Sequence, residues 1–116
     1  HHARDILRSR LENPPSSLEL AQLVGVSDRT LRRGFRQLFD TTVFNYLTQK
    51  RMEKAERLLR EGNRSVAEVA NLVGYSHLGL FAGVFKRHVI NKPDIDRFNF
   101  PVFYILIFNK VGNYSQ

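Results

Sequence analysis

The chain has 116 residues, with 18 Lys/Arg against 11 Asp/Glu for a formal net charge of +7, and it contains no cysteine. That length allows one domain or a compact pair of subdomains, and the missing thiols exclude a disulfide framework and a thiolate metal site. The basic balance points to a polyanionic partner, nucleic acid first, no signal peptide is visible, and the lack of cysteine fits a reducing cytoplasm.

Ala3 to about Leu11 reads as a first helix, with Ile6, Leu7 and Leu11 at helical spacing. Asn13-Pro14-Pro15 stops it, because a proline forces the residue before it out of the helical region. Ser16 opens the next helix, and Glu19 three residues on completes a capping box. Leu20, Leu23 and Val24 form its buried face, and Ala21 permits close packing. Gly25 stands where this helix must stop and turn sharply, since glycine reaches positive φ without a side-chain clash.

Ser27 caps a third helix that runs to about Phe39. Leu31, Phe35 and Leu38 are expected on one side of it, and Arg29, Arg32, Arg33 and Arg36 on the other. Thr41 or Thr42 caps a longer helix reaching Glu61, with Phe44, Leu47, Ala55, Leu58 and Leu59 as its apolar face and Glu53/Arg57 and Glu56/Arg60 as i, i+4 pairs. Gly62-Asn63 ends it.

The chain then repeats itself. Ser65-Val66-Ala67-Glu68-Val69-Ala70-Asn71-Leu72-Val73-Gly74-Tyr75-Ser76 matches Ser16 to Ser27 at seven of twelve positions, including the capping box and the turn glycine. Each copy is a short helix, a glycine turn and the start of another helix: a helix-turn-helix, occurring twice. Beyond the turn, Phe35 matches Phe85 one residue out of register, so the second copy holds an extra residue around His77. Its last helix runs from about His77 to His88, with Phe81, Val84 and Phe85 inward. After Pro93 the character changes, and Val102 to Phe108 reads as a strand or a buried helical turn, too short to span a bilayer as a helix.

Four guanidiniums on the exposed side of a helix that follows a tight turn suit a DNA major groove. There arginine bonds bidentately to guanine and also meets phosphate. The matching helix of the second copy turns outward Gly79, Ala82, Gly83 and Lys86, of which glycine and alanine carry no hydrogen-bonding group for a base edge. Lys86, Arg87 and His88 fit phosphate contacts. The joining helix, Val43 to Glu61, is roughly 28 Å long at 1.5 Å per residue, near the separation of about 34 Å between neighbouring major-groove faces. Histidines stand singly or at the terminus, and no phosphate loop, metal motif or nucleophile elbow occurs, so no enzymatic activity and no cofactor are expected.

Together these residues resemble the AraC/XylS family of bacterial transcription regulators. The likeness is carried by Leu20-Ala21 through Gly25-Val26-Ser27, by Leu31, Arg33 and Phe35, and by Tyr46, Arg51, Ala55 and Leu58-Leu59. It continues in Val66-Ala67-Glu68-Val69-Ala70, Gly74-Tyr75-Ser76, Phe81, Phe85 and Lys86. The resemblance implies an all-α domain with two helix-turn-helix subdomains, at 3–41 and 62–93, joined by a linker helix at 42–61 and followed by an atypical apolar tail at 94–116. It implies sequence-specific binding to promoter DNA and control of transcription, usually activation through RNA polymerase, and a bacterial cytoplasmic, nucleoid-associated location. It places base reading on Arg29, Arg32 and Arg33, and backbone contact on Ser27, Arg36, Ser76, Lys86 and Arg87. Leu78, Gly79, Ala82 and Gly83 match the second recognition helix, where the family commonly has an arginine in place of Gly83. Asp40 and Val43 replace the family's usual glycine and proline, and the tail has no counterpart in it. A separate effector domain usually precedes this one, and the stub at Ala3 favours an excised domain. The alternative is a protein–protein interaction module that dimerises through the second subdomain and the tail. A membrane-surface protein is not expected.

Overall fold

A computed structural model describes residues 2–92, and the expected strand or turn in the apolar tail lies outside them. Six helices occupy the described residues, with no strand among them: α1 (His2–Ser9), α2 (Ser17–Val24), α3 (Asp28–Phe39), α4 (Val43–Glu61), α5 (Val66–Leu72) and α6 (Leu78–Ile90). The all-α expectation holds. The chain divides into two compact units between Arg51 and Met52, inside the unbroken α4.

In the first unit the expected caps are present. Ser16 Oγ accepts from the Glu19 backbone N–H at 3.1 Å, and Glu19 Oε1 accepts from the Ser16 N–H at 3.3 Å. Gly25 adopts φ 79°, its N–H donates to the Gln22 carbonyl at 3.2 Å, and the Val26 N–H reaches back to the Ala21 carbonyl at 3.0 Å. This is the paired closure of a Schellman motif, and it satisfies carbonyls that the helix end would otherwise orphan. Ser27 Oγ accepts from the Thr30 N–H, and Thr42 Oγ1 from the Asn45 N–H, which settles the cap of α4 on Thr42.

The core of this unit gathers Leu7, Leu20, Ala21, Leu31, Phe35 and Tyr46. Phe35, Phe39 and Tyr46 form a ring triangle with centroids 4.7–5.7 Å apart, in tilted and edge-on arrangements that aromatic quadrupoles favour. Arg51 Nε donates to the Leu11 carbonyl at 2.9 Å, which ties the loop after α1 to α4. The sequence pattern errs at three apolar positions: Leu23, Leu38 and Phe44 are exposed, at 54%, 61% and 72%. Each sits one helical step outside its stripe. Val24 takes the partly buried place on α2 and Phe39 that on α3, while Tyr46 and Leu47 take the inward places at the start of α4.

The second unit repeats the first one's chemistry. Ser65 and Glu68 exchange the same two hydrogen bonds, at 3.1 and 3.4 Å. Gly74 has φ 93°, its N–H donates to Asn71, and the Tyr75 N–H to Ala70 at 2.8 Å. The core contains Met52, Leu59, Val69, Val73, Phe81 and Phe85 among others, and Phe81 and Phe85 stack with centroids 5.7 Å apart. The register slip is visible at the helix start. Ser27 caps α3, whereas the residue at the head of α6 is His77, which makes no side-chain cap bond.

Candidate nucleic-acid interface

Helix α3 owes its orientation to its own two faces. Leu31 and Phe35 are buried, at 4% and 1%, and this fixes the opposite side toward solvent. Arg29, Arg32, Arg33 and Arg36 are all exposed along it. The Gly25 turn and the Ser27 cap bring the head of α3 directly after α2, so the stripe begins at an ordered helix start. Arg29, Arg33 and Arg36 make no ion pair among the described residues, which leaves three guanidiniums available to an anion.

Arg32 differs. Its Nη2 pairs with Asp28 Oδ2 one turn earlier, and Asp28 Oδ1 accepts from the Ser17 hydroxyl of α2 at 2.7 Å. The Arg32 guanidinium, aided by the Ser17 hydroxyl, holds the Asp28 carboxyl below the usual carboxylate range, and the same hydrogen bond raises the arginine. Asp28 thus ties the first turn of α3 to the first turn of α2 and lays Arg32 along the helix. The i, i+4 acid–base spacing is legible in the sequence, but it was overshadowed there by the arginine count. Ser27 is exposed but engaged: its hydroxyl accepts from the Thr30 N–H and donates to Thr30 Oγ1 at 2.9 Å.

On α6 the groups divide differently from expectation. Lys86 and Arg87 are exposed, as are Gly79, Gly83 and Ser76. Leu78 and Ala82 are partly buried against the core of their unit rather than presented outward. The His88 side chain is only 16% exposed, with Nε2 3.5 Å from Glu56 Oε2, so it faces a buried carboxylate rather than solvent. The exposed surface of α6 is therefore two glycines with Leu80, Lys86, Arg87 and Ile90.

The expected pairing of Glu56 with Arg60 is present, but the burial of that carboxylate is not an expectation of the sequence. Glu56 is 7% exposed, and it accepts from Arg60 Nη2 at 3.1 Å and from Lys92 Nζ at 2.9 and 3.0 Å. It falls between Met52 and Leu59 on the buried stripe of α4, at spacings of four and three. A charge in that register was the available signal. Among the described residues there is no group of acidic and histidine side chains fit for a metal ion. No helix there is long and apolar enough to cross a membrane.

Residues 20–94 match the family described as a helix-turn-helix domain. The regulatory protein PchR of Pseudomonas aeruginosa is 42% identical over 66 residues, 57% of this chain and 22% of that protein. The probable thc operon regulatory protein of Rhodococcus erythropolis is 36% identical over 97 residues, 81% of this chain and 29% of that protein. The chain thus spans under a third of the length of these two relatives. Among solved structures, a transcriptional regulator from Chromobacterium violaceum, described among AraC-type DNA-binding domain-containing proteins, superposes with a TM-score of 0.73. It is 28% identical, with 84% of this chain and 87% of that one covered. The C-terminal domain of AraT, a response regulator from Geobacillus stearothermophilus, shares the fold with a TM-score of 0.74 at 24% identity, covering 90% and 82%.

Proposed function

The chain belongs to the AraC/XylS-type helix-turn-helix family, and from that premise we propose that it is the DNA-binding part of a bacterial transcription regulator, acting in the cytoplasm on promoter DNA. The observation that carries the reading is the α3 face: four exposed arginines opposite a buried Leu31 and Phe35, following a glycine-closed turn. A helix of this kind enters the major groove with its first turns toward the base edges. Arg29, Arg32 and Arg33 read bases, and Arg36 holds phosphate. Arg32 reaches a base by exchanging the Asp28 carboxylate for guanine O6 and N7, so its contribution is the difference between a single charge-assisted hydrogen bond and a bidentate pair.

In the second unit Lys86, Arg87 and Ser76 hold the backbone of a neighbouring groove. Gly79 and Gly83 offer the bases a smooth surface without hydrogen-bonding groups. The first unit therefore carries most of the sequence discrimination. Activation through RNA polymerase and a homodimer formed by residues 94–116 belong to the same proposal. A protein–protein module as the chain's primary role is not favoured, because the family and the relatives are DNA-binding regulators.

The test is a selection of bound sequences from a random duplex pool, followed by footprinting. One strongly constrained segment and a second protected but weakly constrained segment, one helical turn away, are expected. Two equally constrained segments would refute the assignment of base reading to the first unit, and no enrichment at all would refute sequence-specific binding.

A further inference from the structure

One cleft of the first unit is not used by the reading above. Between the start of α2, the middle of α3 and the start of α4 lies a cavity of about 390 Å³, within the range of small-molecule sites. Its walls are apolar: Pro15, Val43, Phe44 and Leu47. Phe44 is 72% exposed, an unusual cost for a large aromatic side chain with no partner. Arg32 and Arg36 of α3 also line it. The serine and threonine hydroxyls around it already serve as caps or donate to Asp28, so they set no competing polar demand. Arg36 makes no ion pair among the described residues.

An apolar cleft lined also by an arginine without an ion pair among the described residues is complementary to a molecule with a compact apolar body and one carboxylate. We propose that this cleft binds a small amphipathic monocarboxylate, with the rings or chain against Val43, Phe44 and Leu47 and the carboxylate paired with Arg36. Phosphate alone lacks the apolar body, and a neutral apolar molecule leaves the arginine unanswered. The occupant takes up a guanidinium that stands on the arginine face of α3, so it weakens DNA binding when bound. The binding itself rests on the cleft and not on the DNA reading, and it is measured without DNA.

The probe is 2-naphthoate, with 2-naphthamide as its uncharged equal in shape, titrated into the full chain and followed by calorimetry and by amide chemical shifts. Saturable one-to-one binding of the acid is expected, with the largest shifts at residues 42–47. The amide and the Arg36→Gln variant should each bind about tenfold more weakly, the scale of one charge-assisted hydrogen bond. Phe44→Ser, at an exposed position that leaves the fold intact, should weaken both probes together. Equal binding of acid and amide, unchanged affinity in Arg36→Gln, or no saturation would overturn the proposal. So would exclusive binding of an acidic amphipathic peptide, which would make the cleft a peptide groove.

Discussion

Replacing Gly34 by alanine should stabilise the protein without touching its DNA affinity. Gly34 lies in the middle of α3, where glycine costs about 0.8–1.0 kcal/mol relative to alanine through the freedom it retains in the unfolded chain. A glycine inside a helix is sometimes required because a neighbour approaches too closely for a methyl group. Here a Cβ would meet nothing within 4 Å, so the full propensity gain should appear. In a domain of this size, about 1 kcal/mol raises the melting temperature by about 4–8 °C. The position also separates fold from recognition. Gly34 is three residues from Leu31 and four from Leu38, on the side of α3 away from the arginine stripe. Urea and thermal unfolding followed by far-ultraviolet circular dichroism measure the gain, and gel shifts on the selected site measure the affinity. Unchanged or lower stability would refute the reasoning about open space. Higher stability with lost DNA binding would show that this flank, and not the arginine stripe, meets the duplex.

Arg33→Ala should cost about 1–3 kcal/mol of binding on the preferred site and far less on random DNA. Arg36→Ala should cost similar amounts on both and reduce the salt dependence; competition binding at two salt concentrations separates the two. Asp28→Asn should loosen the start of α3. The Asp28 carboxyl is held below its ordinary value, so the contribution of its pairing is present above pH 3.8 and fades as pH falls through the lowered value. A carboxyl-carbon NMR titration should find that depressed midpoint in the wild type, and Arg32→Ala should bring it back up. Glu56→Ala should destabilise the second unit by up to about 3 kcal/mol, since it removes the carboxylate that Lys92 meets at a partly buried site; denaturant melts decide it. Gly83→Arg places a guanidinium where a Cβ meets open space. It should add a constrained base in the second segment of the selected sequence, and an unchanged selection profile would argue that α6 does not enter a groove.

The elements that repeat were the ones legible in the sequence. Ser16 with Glu19, Ser65 with Glu68, Gly25 and Gly74 each act within four residues of themselves, so their chemistry is written locally. The extra residue near His77 was legible as well, because a cap tolerates no slip in register. Leu23, Leu38 and Phe44 were misread because hydrophobic spacing defines a stripe wider than the contact it makes. Only packing decides which edge stays wet. The pairing of Glu56 with Arg60 follows from local spacing, whereas its burial is masked by its charge, although its spacing from Met52 and Leu59 places it inward. On the site itself, the count and face of the arginines could be read, but the engagement of Arg32 by Asp28 and Ser17 depends on rotamers and on a neighbouring helix.

That engagement bears on how a regulator finds its site among competing DNA. A free guanidinium attracts every phosphate alike and lengthens each stay on irrelevant sequence. If Arg32 reads a base as proposed, its charge arrives already paired with Asp28, so random duplex would gain less from it and sliding would be less sticky. Only a base edge offering two well-placed acceptors would repay the exchange. A carboxylate on the recognition helix would then trade a little total affinity for a faster search and a sharper stop.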